Sequence, residues 1–528
     1  MIRVEDLSLS IHATSILTDV SIEMRPGKVF GLVGESGSGK SMTALAIMGL
    51  LPEGAQSGGK VILDGENLLA KSERDLCTLR GNRMGMIFQE PMTALNPVKT
   101  IGEQVAETLR IHTKISRRDA MNIAREKLAR VGLPEDRFPL SRYPHELSGG
   151  QRQRVCIAMA IALHPELLIA DEPTTALDVT TQAQILDLLR DLVEEEGMSL
   201  LLITHDLAVV SGLADHVAVM QNGKIVEQGQ TETLFRTMRH PYTRQLFDAS
   251  RHQPVRAEQA DDAALLEVRN ASRDYTLART SLFGPAPHFR AVDNVSFTLK
   301  AGESLGLVGE SGCGKSTLTR ALLGLEPLQG GEIRMFGAPV GPDMPNTLRS
   351  GMQVVFQDPY SSFNPRWRVE QLVAEPFHLL PERPADWREQ VASVLESVGL
   401  GRETMRRYVH EFSGGQRQRI AIARALILRP DLIILDEAVS ALDVSIRAQI
   451  LDLLADLQKG YGLSYLFISH DLSVVRAITD RVLVMKDGMI VEEGPTKRVF
   501  DNPTHDYTKN LIAATPAIPA DWQEEPHA

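Results

Sequence analysis

Eight consecutive residues, written twice, restrict this chain more than anything else in it. Gly34-Glu-Ser-Gly-Ser-Gly-Lys-Ser41 fits the pattern G-x-x-x-x-G-K-[ST], and Gly309 to Ser316 repeats it with Cys313 in place of Ser38. Each copy follows a short apolar run and precedes a helical pattern, the strand–loop–helix setting of a phosphate-binding loop. Gly34, Gly37 and Gly39, like Gly309, Gly312 and Gly314, let successive backbone N–H groups turn inward on a phosphate. The following helix adds its positive end. Lys40 and Lys315 are placed as point charges for phosphate oxygens, and the Ser41 and Ser316 hydroxyls for Mg²⁺. A glycine-rich turn can match the pattern once by chance. A second, near-identical copy in the same setting removes that reading.

The rest of the chain is duplicated around these loops. The loops lie 275 residues apart, Gln89 and Gln357 268, and Ser148-Gly-Gly-Gln-Arg-Gln-Arg154 and its copy from Ser413 265. Asp171 and Asp436, then His205 and His470, keep that last offset. Length therefore varies only early in each unit, where loops absorb insertions. Residues 1–30 alternate apolar and polar as strands do. Met121, Ala124, Leu128 and Val131, and in the second unit Trp387, Val391, Val394, Leu395 and Val398, are spaced as one buried helix face. Apolar runs 167–170 and 200–204 flank a helix near 181–195, which implies a mostly parallel, buried sheet. Asn222-Gly223 and Asp487-Gly488 each predict a tight type I′ hairpin. The reading divides the chain into a first domain, 1–250, a linker, 251–264, a second domain, 265–515, and a disordered tail, 516–528. An insertion rich in Gly, Pro and Ser is placed at about 277–289.

Composition narrows the class. With 528 residues, 43% of them hydrophobic, the chain has material for two full cores. A net charge of −12 gives no general basic surface for nucleic acid. No apolar stretch is long enough to span a membrane, and no signal peptide is evident. Cys77, Cys156 and Cys313 are too few and too scattered for a disulfide framework or a metal site. A cytosolic protein is expected.

Each unit also places an acidic pair, Asp171-Glu172 or Asp436-Glu437, at the end of an apolar strand. In phosphate-loop enzymes the first acid helps hold Mg²⁺ and the second can polarise an attacking water. His205 and His470 follow the next strand at the same distance from the acids, which suits a γ-phosphate contact.

With these pieces in place the whole chain resembles two fused ATP-binding cassettes of the ABC transporter superfamily. The resemblance implies an α/β fold: two tandem P-loop NTPase domains, each a mostly parallel sheet core with an antiparallel β subdomain and a helical signature subdomain. It implies ATP and Mg²⁺ as ligands. Gly34, Ser36, Gly37, Gly39, Lys40, Ser41 and Met42 match the first Walker A loop. Gly309, Ser311, Gly312, Gly314, Lys315, Ser316 and Thr317 match the second. Gln89 and Gln357 match the Q-loop glutamines, which with Ser41, Ser316, Asp171 and Asp436 face the metal. Glu172 and Glu437 match the catalytic glutamates, His205 and His470 the switch histidines, and Asp178 and Asp443 the D-loops. Ser148, Gly149, Gly150 and Gln151 match the signature, as do Ser413, Gly414, Gly415 and Gln416, the latter set preceded by Phe412 where Leu is usual. In this family two cassettes pack head to tail, so each ATP would meet one cassette's Walker A loop and the other's signature. The family's adenine-stacking aromatic falls at Ile11 in the first unit. Tyr275 is the candidate in the second. Both units are expected to hydrolyse.

The stretches Gln89 to Pro97, Gln357 to Pro365, Tyr143 to Gln151 and His240-Pro-Tyr-Thr243, the last echoed by His505-Asp-Tyr-Thr508, resemble the peptide/nickel importer group. Size and fusion are similar to the double-cassette subunits of Yej-type (microcin C) oligopeptide importers. The resemblance implies two integral-membrane permease subunits, a heterodimer, and a periplasmic substrate-binding protein acting through them. It places the chain on the cytoplasmic face of the inner membrane as a peripheral subunit. Single-cassette relatives with an iron–sulfur centre carry a C-terminal cysteine cluster; here none is expected. The rival reading is a tandem-cassette translation factor of the ABC-F type, marked by a long charged helical linker. Residues 251–264 are short, contain Pro254 and have no helical face.

Overall fold

Alternation in the first thirty residues produces two antiparallel strands, Ile2–Ile11 and Thr14–Met24. With Ala55–Leu63 and Glu66–Asn67 they form a four-stranded antiparallel sheet. The computed structural model describes residues 2–522 except 176, 257–262, 277–285, 359–360 and 441. The core of the first domain is a six-stranded sheet in the order Lys224–Gln230, His216–Gln221, Val29–Val33, Ser199–Thr204, Leu167–Asp171, Met84–Ile87. All neighbours run parallel except the edge hairpin.

The apolar strands are buried on both faces, and their two-residue period divides them between two layers. Leu168, Ala170, Leu200 and Leu202 face the helical side of the domain. Leu167, Ile169, Leu201 and Ile203 face the antiparallel sheet and the helix Lys40–Met48. The helical side holds Ile101–His112 and Arg117–Arg130, where Ala124, Leu128 and Val131 are buried as their spacing predicts. The second domain repeats this plan, with Ile433 and Leu435 on one face and Leu432 and Ile434 on the other. Trp387–Ser397 buries Val391, Val394 and Leu395.

The Asn222-Gly223 hairpin has φ of 49° and 77°, and Asp487-Gly488 has 47° and 83°. Positive φ at both central positions is the type I′ geometry. These turns do more than reverse the chain. The Gly223 N–H donates to Ser38 O at 2.9 Å, and the Gly488 N–H to Cys313 O at 2.9 Å. Each turn therefore braces the floor of a phosphate loop.

The two domains are interlocked by their C-terminal segments. The helix Pro241–Ser250 packs on Val444–Tyr461 of the second domain, and Asp506–Ala514 packs on Val179–Glu196 of the first. Beyond the first of these, His252 pairs with Asp452 at 2.6 Å and Arg256 with Asp480 at 2.8 Å. Most of the linker's remainder, 257–262, lies outside the described residues, as does 277–285 of the expected insertion. His288 and Phe289 belong instead to the strand His288–Lys300.

The tail differs from expectation. Residues 516–522 are not a loose end: Ile518 is buried and Trp522 stacks on Phe235 of the first domain at 6.2 Å. Asp521 pairs with Arg236 beside it. The apolar payload of one isoleucine and one tryptophan outweighs the Pro- and acid-rich composition, because Phe235 supplies a surface for them.

Candidate functional site

Each Walker A loop is shaped by glycines at positive φ. Gly34 sits at 154°, Gly37 at 76° and Gly39 at 107°, and Gly309, Gly312 and Gly314 at 155°, 83° and 111°. A Cβ on Gly34 would stand 2.2 Å from Met220 O, and one on Gly309 2.2 Å from Met485 O, so only glycine fits. Lys40 is buried, its ammonium donating to Gly34 O at 2.7 Å and Glu35 O at 2.8 Å. Burial lowers its pKa, against the pull of nearby Glu172 and Asp443. Lys315 makes the same bonds to Gly309 O at 2.6 Å and Glu310 O at 2.8 Å. Ser36, Ser41, Ser311 and Ser316 are exposed at the loop mouths, with Met42 and Thr317 half-buried behind them.

The acidic pair follows the sheet. Asp171 ends its strand and accepts a bond from the Ser41 hydroxyl at 3.2 Å. Glu172, at φ 47°, turns back so that its N–H reaches Ile203 O at 2.8 Å. Its carboxylate gathers three partners: Gln89 Nε2 at 2.8 Å, the Thr175 hydroxyl at 2.9 Å and His205 Nδ1 at 3.1 Å. Burial opposes the charged form, but the bond and charge of His205, with Thr175 and Lys40, outweigh it and hold Glu172 at about 2. It is ionised at neutral pH. Asp171 is raised by its burial, and Asp436 is pushed up to about 6 by burial and by neighbouring Glu437.

The second site is assembled less completely. His470 Nδ1 reaches Glu437 at 3.1 Å, but among the described residues Gln357 makes no bond to Glu437, nor Ser316 to Asp436. The Ser440 hydroxyl turns to the Glu437 backbone carbonyl, whereas Thr175 reaches the Glu172 carboxylate. Pro359 and Tyr360, in the stretch after Gln357, lie outside the described residues.

The D-loops differ as well. Asp178 caps its own helix, accepting the Thr181 N–H at 3.0 Å and its hydroxyl at 3.1 Å. Ile446 replaces that threonine in the second domain and offers no hydroxyl. Asp443 instead crosses the interface and accepts the Ser36 N–H of the first Walker A loop at 2.9 Å. Arg447, where the first domain has Gln182, ties this D-loop to the switch region by bonds to Leu442 O at 3.3 Å and Asp471 at 2.7 Å.

Ser148 and Ser413 are helix N-caps in reciprocal capping boxes with Gln151 and Gln416. The glutamine side chains are thereby committed to the cap. The backbones of Gly149, Gly150, Gly414 and Gly415 form the first turns of these helices. Gly150 and Gly415 also admit the D-loop helix, since a Cβ there would meet Thr181 Cγ2 at 2.3 Å and Ile446 Cγ2 at 2.5 Å. Ile11 ends the first strand, opposite Thr14 and Ala55. The Tyr275 hydroxyl donates to Glu326 at 2.7 Å and its ring lies under the Arg273 guanidinium. These contacts tie Tyr275 to Arg273 of its own strand and to the segment after the helix Lys315–Leu322.

Sequence reasoning did not assign Tyr242 and Tyr507 to the site, though it quoted the motifs that contain them. Their hydroxyls accept the N–H groups of Glu35 at 3.3 Å and Glu310 at 3.0 Å, inside the Walker A loops. Recurrence of His-x-Tyr-Thr after both domains was the available signal. The motif is held by an acid on the preceding strand. Glu492 accepts the Thr504 N–H at 2.9 Å, its hydroxyl at 2.8 Å and the His505 N–H at 3.1 Å. Burial alone would raise Glu492; these bonds overcome it and hold the carboxyl at about 2. The depressed value means a stabilisation present above pH ~4.5 and lost as pH falls toward ~2. In thermal melts E492Q is expected to lower the midpoint at neutral pH, and the gap to wild type to close below pH ~4.5. A gap independent of pH would contradict this account.

Two glycine-shaped loops, each with an acidic pair and a histidine arranged in this way, mark the chain as an ATP-hydrolysing cassette protein. A model described as ABC transporter matches residues 17–175 and 292–440, and the chain belongs to that family. A second, described as oligopeptide/dipeptide transporter, C-terminal region, matches 226–267 and 491–527, the segments that carry the two tyrosines. The peptidoglycan transport ATP-binding protein YejF of Agrobacterium fabrum is 49% identical over 97% of this chain and 96% of its own. The glutathione import ATP-binding protein GsiA of Escherichia coli K12 is 48% identical over 98% of this chain and 89% of its own. Among solved structures, cbiO1 of Clostridium perfringens matches 46% of this chain and 92% of its own at 28% identity, with a TM-score of 0.40.

Proposed function

We propose that this chain is the motor of an importer for oligopeptides or related peptide-like solutes, with two composite ATP sites, each completed by the opposite domain. The bond from the Ser36 N–H to Asp443 across the interface carries this reading, because it puts one domain's D-loop on the other's phosphate loop. Site one comprises Lys40, Glu172 and His205 with Ser413, Gly414 and Gly415. Site two comprises Lys315, Glu437 and His470 with Ser148, Gly149 and Gly150. The Ser41 hydroxyl bonded to Asp171, and in the second domain Ser316 and Asp436, which are not bonded to each other, are the oxygen donors a hard cation takes; with Gln89 and Gln357 they would hold Mg²⁺. Bound there, Mg²⁺ supplies charge neutralisation at the phosphates.

Lys40 leaves the carbonyls of Gly34 and Glu35 for phosphate oxygens when ATP enters. Glu172, ionised and oriented by His205, accepts a hydrogen bond from water and then its proton as oxygen attacks the γ-phosphorus and the bond to ADP breaks. Covalent fusion keeps the two halves at an effective concentration near millimolar.

The surface that follows each Q-loop supports a membrane partner. Met92 is 64% exposed and Val98 80%, near exposed Phe88; Phe356 and Trp367 are exposed in the second domain. No helix among the described residues is long and apolar enough to cross a membrane, so we assign transport to separate permeases, a heterodimer that meets two unlike faces, with a periplasmic binding protein delivering solute. The chain then sits peripherally on the cytoplasmic face of the inner membrane. Tagged E172Q/E437Q protein, recovered from detergent-solubilised cells with ATP, is expected to bring down two integral membrane proteins. Recovery of ribosomes would overturn the importer reading.

A further inference from the structure

The terminal helix of each domain begins in a strictly built turn. His240 Nδ1 accepts the Tyr242 N–H at 3.2 Å, and Glu227 accepts the N–H groups of Arg239 at 2.8 Å and His240 at 3.1 Å. His505, Tyr507 and Glu492 repeat the arrangement. This construction buries two tyrosine rings, 5% and 7% exposed, and delivers both hydroxyls to the same place. Each hydroxyl accepts the N–H of the peptide that joins the first two Walker A residues. The carbonyl of that same peptide, Gly34 O or Gly309 O, is the acceptor for Lys40 or Lys315. One peptide unit is gripped at both ends, by the phosphate-binding lysine and by the tyrosine.

The grip is linked to the opposite domain. The helix bearing Tyr242 packs on the D-loop helix Val444–Tyr461, and the helix bearing Tyr507 on Val179–Glu196. Tyr507 and Leu511 share an apolar cluster with Val179 from the first domain. We propose that Tyr242 and Tyr507 are positioning residues, each phenol locking the first peptide of its Walker A loop and making the nucleotide-ready loop conditional on its terminal helix being seated against the other domain. Gly34 and Gly309 have no side chain to hinder rotation of that peptide, so the hydroxyl supplies what a Cβ cannot. Burial pushes Tyr242 up to about 12, so the phenol stays neutral and acts as a hydroxyl.

This inference rests on the Walker A loops being the nucleotide sites, and the test separates the two. MgATP affinity is read by displacement of trinitrophenyl-ATP from the full chain carrying E172Q and E437Q, with K315A silencing the second loop or K40A the first. Y242F is expected to weaken MgATP at site one, and Y507F at site two, by about five-fold, the equivalent of ~1 kcal/mol at 1.4 kcal/mol per decade. Melting temperatures should fall by no more than about 4 °C from the parent, the share of one hydrogen bond, since the ring remains. D452A, which removes the partner of His252 across the interface, is expected to weaken site one about two-fold in the tyrosine chain and not at all in the Y242F chain. Unchanged affinity in Y242F, or a fall in affinity accompanied by a melting temperature lowered by more than about 4 °C, overturns the positioning role. Full additivity with D452A overturns the conditional link. If the parent chain binds no MgATP, the assignment of the loops themselves fails.

Discussion

Replacing both Glu172 and Glu437 with glutamine is expected to slow ATP turnover by at least about 100-fold while MgATP still binds. A positioned general base contributes roughly 10²- to 10⁴-fold, and glutamine keeps the shape of the side chain while losing the proton acceptor. Phosphate release measures turnover, and nucleotide displacement measures binding. The single substitutions are more informative. Glu172 has bonds from Gln89, Thr175 and His205, whereas among the described residues Glu437 is reached by His470 alone. A carboxylate already fixed by three partners is the better prepared of the two, so E172Q is expected to remove the larger share. E437Q should still lower turnover by a measurable fraction, because its carboxylate and switch histidine are paired as in the first site. Undiminished turnover in E437Q would show a single hydrolytic site. The symmetric reading would then be wrong.

That contrast also marks where sequence stops being informative. The candidate residues of both domains could be picked out because loops, acids, histidines and D-loops sit at offsets that survive duplication, and the layers were legible because strand residues such as Leu167 to Ala170 carry a period that sorts them between two faces. The inequality of the sites was not legible. The thinner set of partners at Glu437 goes with Ser440, whose hydroxyl turns to the Glu437 backbone where Thr175 reaches the Glu172 carboxylate, and the crossing of Asp443 to Ser36 goes with Ile446, which lacks the hydroxyl that Thr181 gives Asp178. Nothing in the spacing of these residues distinguishes a carboxylate that caps from one that crosses an interface. The tail was misread for a related reason. Pro516 to Trp522 has too little apolar content to fold alone, and only the tertiary presence of Phe235 and Arg236 gives Trp522 and Asp521 a surface to join. Tyr242 and Tyr507 were visible as part of a motif, but their contact with Glu35 and Glu310 links positions about two hundred residues apart.

The hairpin glycines, which look equivalent in sequence, are expected to respond unequally to alanine. Both have positive φ, 77° at Gly223 and 83° at Gly488, and an L-residue held there loses about 1–2 kcal/mol. Their surroundings differ. A Cβ on Gly223 would lie 2.1 Å from Ile16 O and 2.9 Å from its carbon, backbone atoms that cannot step aside. A Cβ on Gly488 would lie 3.1 Å from Ala291 O, tight but relieved by a shift of a few tenths of an ångström. G488A should therefore cost the second domain about 1–2 kcal/mol, or roughly 2–8 °C in its calorimetric transition. G223A should cost the first domain more than about 3 kcal/mol, roughly 9 °C or beyond. Function should follow the same inequality. To escape Ile16 the first turn must move, and its N–H holds Ser38 O at 2.9 Å while its carbonyl receives the Thr18 N–H at 2.9 Å. Displacement of that turn pulls on the floor of the first Walker A loop, so G223A should weaken MgATP at site one well beyond the effect of G488A at site two. Equal losses at the two turns would mean that the hairpins tolerate the methyl by moving as units, and that the Gly223–Ser38 bond does not brace the loop.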